Sequence, residues 1–169
     1  MKVIEKVRSF FSGRHARKPV GTVHVVDPSP LNWLYITYNT VEELVRVTPS
    51  GLIRPAAMKM YRWLDARTLE IDVRQGNRFP DGELVTAATV KRAFDEAFRW
   101  QASHPPGTHF NLDPRTRCEI VGDDRIRLHL PDPDGLALGK LRAYHIMSTA
   151  FWTGPGFGYA RNGSGEGHW

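Results

Sequence analysis

Trp63 to Phe94 reads WLDARTLEIDVRQGNRFPDGELVTAATVKRAF, and three kinds of local order follow one another within it. Leu69, Ile71 and Val73 alternate with Glu70, Asp72 and Arg74, the period of a strand with one face in a core and one in water. Met58 to Trp63 is also extended in character, and Leu64 to Arg67 is short enough to join the two as an antiparallel hairpin. Gly76 and Asp81-Gly82 then punctuate the chain, with glycine able to take the positive φ of a tight turn. Thr86 follows as an N-cap, opening a helix that carries Val90, Phe94, Ala97 and Phe98 on one side.

Working outward, Gly21 to Val26 reads as a strand, broken by Asp27-Pro28-Ser29-Pro30. An aromatic stretch, Leu31 to Tyr38, comes next. Asn39 and Glu42 stand at the spacing of a helix cap, which predicts a helix through Leu44 and a turn at Pro49-Ser50-Gly51. On the other side, Ser103 to Pro114 is polar and proline-bearing and reads as a loop. Cys118 to Val121 and Arg125 to Leu130, joined by Gly122-Asp123-Asp124, make a second hairpin. Ile126, Leu128 and Leu130 face one way in it, and Arg125, Arg127 and His129 face the other, toward water. Pro131 to Gly135 is a turn, Leu136 to Ala143 a short helix, and glycine dominates after Trp152. Three regions result: a basic leader or tail over 1–20, one folded unit over 21–152, and a glycine-rich segment over 153–169. No internal repeat is present.

Composition narrows the function classes. The chain has 169 residues with 41% hydrophobic, enough for a core and too apolar for wholesale disorder. Its net charge is +5, from 23 basic and 18 acidic side chains. Six basic groups (Lys2, Lys6, Arg8, Arg14, Arg17, Lys18) and a single acid, Glu5, lie within residues 1–22, so the remainder is balanced. The basic excess is a property of the leader and does not point to nucleic acid. With Cys118 as the one cysteine, no intrachain disulfide forms. No apolar run is long enough to span a bilayer. The leader has early positive charge, but Glu5, Lys6 and Arg8 interrupt its apolar residues, so it lacks the h-region of a secretory signal.

The order of residues in the central stretch resembles the signature of the family 5 extracellular solute-binding proteins. It has a tryptophan, a turn and strand, then Arg74-x-Gly76-x-x-Phe79-x-Asp81-Gly82, then Thr86-Ala87-x-x-Val90 opening a helix. Val41-Glu42-Glu43-Leu44-Val45 and the turn at Pro49-Ser50-Gly51 resemble the segment that precedes this signature, and the similarity runs over residues 20 to 152. The family often carries an acidic residue just after the Thr-Ala pair, where this chain has Ala88 and Thr89. The resemblance implies a mixed α/β fold. It would be part of a type II periplasmic-binding-protein-like lobe with antiparallel hairpins and a few helices, the second lobe being absent from the sequence. It implies a non-enzymatic, substrate-binding component of an ABC importer for peptides or nickel, present as a truncated chain. The partners implied are a peptide or other small solute and an ABC transporter membrane permease, in the periplasm or cell envelope. Nucleic acid is not among the partners, no cofactor is called for, and an incomplete lobe leaves self-association open.

The ligand-contact candidates are Asn32, Trp33, Tyr35 and Tyr38, because aromatic faces and amides suit peptides and small polar solutes. The same aromatics also suit a core. Other constellations are read as structural. His104, His109 and Cys118 show no standard metal spacing. Gly154-x-Gly156-x-Gly158 does not open an apolar helix, as a dinucleotide loop should. Asp132 and Asp134 lie between prolines in a turn, and no serine sits in a nucleophile elbow, so no catalytic set is visible. Two alternatives to transport stay open: a structural or interaction module that kept the fold, and the ligand-sensing part of a regulator.

Overall fold

The computed structural model of the protein describes residue 21, residues 41–100 and residues 111–156. Both hairpins form as the alternation predicts. β3 (Met58–Trp63) pairs antiparallel with β4 (Thr68–Val73), and β5 (Arg117–Gly122) pairs with β6 (Arg125–His129). The hairpins join through β4 and β6 into one four-stranded antiparallel sheet, ordered β3-β4-β6-β5. A separate two-stranded ribbon, β1 (Val45–Val47) with β2 (Ile53–Pro55), precedes it.

Helix α1 (Ala87–Trp100) lies over β5 and β6. Its Val90, Ala93 and Phe94 join Leu69, Ile71, Ile126 and Leu128 in one buried cluster. Burying a side chain such as Phe94 contributes about 1.5–3 kcal/mol relative to leaving it in water. The helix starts where Thr86 predicts. Thr89 N–H points to Thr86 Oγ1 at 3.4 Å, and Thr86 N–H donates to Thr89 Oγ1 at 2.9 Å. The pair is a reciprocal cap in which Thr89 does the work usually given to glutamate or glutamine, satisfying two amides at the helix start. Beyond the turn at Pro131–Gly135 come α2 (Ala137–Lys140) and a 3₁₀ turn, Leu141–Ala143, within the span expected to be helical. Tyr144 packs its ring 4.6 Å from that of Phe94, and its hydroxyl accepts the Leu112 N–H at 2.9 Å.

Two expectations are corrected. Residues 41–44 are not helical. Glu42 bridges Ile146, and the chain enters strand β1 at Val45. Glu42 Oε1 accepts the next amide, that of Glu43, at 3.0 Å. Pairing of Val45 and Val47 with Pro55 and Ile53 outweighs the local cap-like spacing. Ahead of the glycine-rich end lies α3 (Thr149–Thr153), on which the sequence reading makes no prediction, capped by Ser148, whose Oγ accepts the Phe151 N–H. The second correction is that the polar face of the sheet is more than a solvated surface, because Glu70 in it is only 2% exposed. Three arginines close over it: Arg62 donates to Oε1, Arg127 Nε to Oε2 at 2.8 Å, and Arg125 Nε lies 3.5 Å from Oε1. The predicted strand at Gly21 to Val26, the helix start at Asn39 and the loop at Ser103 to Pro114 lie wholly or mostly outside the described residues.

Candidate functional site

The signature residues fold as a compact loop between β4 and α1. Gly82 takes φ 92° and Gly76 φ 85°, conformations that favour glycine. Asp81 Oδ1 accepts the Glu83 N–H at 3.0 Å, Phe79 N–H donates to Glu83 O at 2.9 Å, and Arg78 Nη1 donates to Gly82 O at 2.8 Å. Phe79 packs against the main core, and Arg74 is tied to the backbone carbonyls of Ala56 and Ala57. These are fold-building roles, as the residue types imply.

The loop is anchored to the C-terminal part of the described chain by contacts the sequence did not reveal. Glu83 receives Thr149 twice, from the backbone N–H at 2.6 Å and from Oγ1 at 2.8 Å. A hydrogen bond from the Ser148 hydroxyl, together with the Glu83 amide, holds the Asp81 carboxyl below its ordinary pKa. Ser148 therefore caps α3 and binds the loop at once. The sequence signal for it is a serine three residues before Phe151, the N-cap spacing.

Beside this junction lies an open cleft of about 510 Å³, bounded by Val41, Glu42, Arg46, Arg78, Phe79 and Ser148. Arg46 Nη2 donates to Val41 O at 3.3 Å and lies 3.7 Å from Glu42 Oε1. Two arginines, a glutamate, a serine and a phenylalanine thus line one concavity. Such a mixture of apolar wall and few polar groups suits a small polar solute. Behind it Glu43 is 1% exposed, with Arg142 Nε at 3.7 Å and Arg46 Nε at 4.0 Å. Burial raises the Glu43 pKa despite both arginines.

Asn32, Trp33, Tyr35 and Tyr38, the ligand-contact candidates, lie outside the described residues, as do His104, His109 and His168. The cleft begins at Val41, three residues beyond Tyr38 in the chain. Cys118 is buried, and burial pushes its thiol up to about 12. Among the described residues no group of three or more His, Cys, Asp or Glu side chains could hold a metal ion, and no helix is long and apolar enough to cross a membrane.

No family model matches the sequence, and no curated protein matches it at the level of sequence. Solved structures do match the fold. The ABC transporter substrate-binding protein CtaP of Listeria monocytogenes superposes with a TM-score of 0.60 at 20% identity, over 81% of this chain and 28% of its own. The oligopeptide-binding protein AppA of Bacillus subtilis, solved with a nonapeptide, gives 0.58 at 14% identity, over 82% and 27%. NikA of Staphylococcus aureus, solved with Ni(L-His)2, gives 0.55 at 18% identity, over 65% and 23%. The chain spans about a quarter of the length of these proteins. The fold is mixed α/β and matches part of one lobe of these substrate-binding proteins, a fold of the periplasmic-binding type. The resemblance to family 5 solute-binding proteins read from Trp63 to Phe94 holds at the level of this fold.

Proposed function

We propose that residues 21–152 form part of one lobe of the solute-capturing component of an ABC importer, working without catalysis in the periplasm or cell envelope. The solute is a peptide or a nickel chelate, held between this lobe and a second one and handed to a membrane permease. The observation that carries the reading is the match of fold to proteins solved with a nonapeptide and with Ni(L-His)2. The polar cleft that opens directly after the aromatic stretch supports it. Asn32, Trp33, Tyr35 and Tyr38 are the proposed solute contacts, and Arg46 and Arg78 of the cleft are proposed to offer positive charge to the same solute. A closing second lobe supplies much of the affinity in such a mechanism, because closure expels water and adds contacts.

Calorimetry with a tripeptide panel and with Ni(L-His)2 tests this. The chain by itself is expected to bind one of them weakly, with Kd above about 10 μM, and Trp33→Ala with Tyr38→Ala is expected to remove the heat. Absence of binding to every solute at millimolar concentration contradicts the reading. A nanomolar Kd for this chain contradicts the need for a second lobe.

A further inference from the structure

One surface has no part in the proposed solute site. Of the nine exposed large hydrophobic residues among those described, six fall between Leu52 and Leu64: Leu52, Ile53, Met60, Tyr61, Trp63 and Leu64. The same thirteen-residue stretch holds three cations, Arg54, Lys59 and Arg62, and no acid. Among the described residues β3 is an edge strand with β4 as its one strand neighbour in the sheet, and only its first residue is engaged elsewhere, Met58 N–H donating to Leu44 O at 3.1 Å. Leu64 N–H donates inward to Thr68 O at 2.9 Å. Alternation along an antiparallel strand then turns the N–H and C=O of Tyr61 and Trp63 outward, away from β4. At the other end of β3, Lys59 sits in a register irregularity between Met58 and Met60, which blunts pairing there. Met60 to Leu64 is left as a pairing-competent edge, rich in the aromatic, Met and Arg side chains that concentrate in protein interfaces.

We propose that this edge is a docking site for an extended acidic segment of another protein, added as a strand beside β3. An added strand would satisfy the four outward backbone groups of Tyr61 and Trp63. Its apolar side chains would cover Tyr61 and Trp63. Its carboxylates would meet Lys59, Arg54 and Arg62. Arg62 spends one Nη on Glu70, and its side chain remains 57% exposed. The observations disfavour two other occupants. A lipid surface would cover the edge without offering hydrogen bonds to its backbone, which open edges do not tolerate. A second copy paired antiparallel with its Trp63 opposite Tyr61 would set the two Arg62 side chains against each other.

The test uses the full chain and a fluorescent ten-residue peptide alternating Glu with Val and Thr, followed by fluorescence polarisation. The Gln-for-Glu peptide is expected to bind at least about tenfold more weakly. Tyr61→Pro removes an outward N–H without touching the β3–β4 ladder, and proline is tolerated at such edge positions. It is expected to abolish binding while leaving the circular dichroism spectrum unchanged. If it does not fold, Arg54→Glu with Lys59→Glu is the second variant, expected to reject the Glu peptide and accept a Lys-for-Glu one. The proposal is overturned if Gln and Glu peptides bind alike, if none binds, or if binding survives both variants. It is overturned in favour of a membrane if the chain instead sediments with phosphatidylglycerol-containing vesicles. It is overturned in favour of a second copy if the chain forms dimers that Tyr61→Pro dissolves.

Discussion

Arg127 Nε donates to Glu70 Oε2 at 2.8 Å across the β4–β6 ladder, placing a buried carboxylate at the centre of a charged row. The register carries that row across the whole sheet, from Arg62 through Glu70 and Arg127 to Glu119. The Arg127 hydrogen bond is the chief reason the Glu70 pKa is lowered, with Arg62 and Arg125 adding to it against the cost of burial. A carboxylate with a lowered folded-state pKa stabilises the fold above its unfolded pKa of about 4.3, and that stabilisation is lost as pH falls through the folded value. Glu70→Gln is therefore expected to lower the melting temperature at pH 7, with the gap closing below pH of about 4. Thermal melts from pH 7 to 3 check this, and a gap independent of pH contradicts it.

Glu43 carries the opposite sign. Its pKa is raised, chiefly by burial, so its neutral form is the one the fold favours. That contribution is full below the unfolded pKa and lost as pH rises through the folded one. Glu43→Gln should gain stability relative to the parent as pH increases from 4 to 8 in the same melts. A steady loss over that range would show that the Arg142 and Arg46 pairs outweigh desolvation.

Two glycines separate backbone conformation from space. A Cβ meets nothing within 4 Å at either Gly82 or Gly139, but Gly82 has φ 92° and Gly139 sits in α2. Gly82→Ala should cost roughly 1–2 kcal/mol, while Gly139→Ala should gain about 0.5–1 kcal/mol. Urea denaturation of the two variants gives both numbers.

The two hairpins and α1 were legible because each is a local pattern: strict alternation at Leu69–Val73 and Ile126–Leu130, and a capped amphipathic run after Thr86. Thr89 also accounts for the missing acidic residue in the family signature, since its hydroxyl performs the capping contact. Residues 41–44 were misread because Asn39 and Glu42 present a helix-cap spacing while pairing with Ile146, over a hundred residues on, holds the chain extended. The burial of Glu70 was invisible for a similar reason. Its alternation places it on the polar face, and only the register of three strands brings three arginines over it. The cleft joins Val41–Arg46, Asn77–Pro80 and Met147–Ser148, which no single window of sequence contains.

Cys118 should be chemically silent in the folded chain. It is buried at the β5–β6 pair, with its thiol pushed up to about 12. Ellman's reagent at pH 8 should label it only after denaturation. Rapid labelling of the native protein would mean that β5 opens readily.

The most direct test of the solute-capture account is an amide-shift map of the labelled chain titrated with a tripeptide or with diamagnetic Zn(L-His)2 in place of the nickel complex. The account predicts shifts clustered at residues 31–46 and 77–79, with the β3–β6 sheet unchanged. Shifts confined to the sheet, or none at millimolar solute, would contradict it.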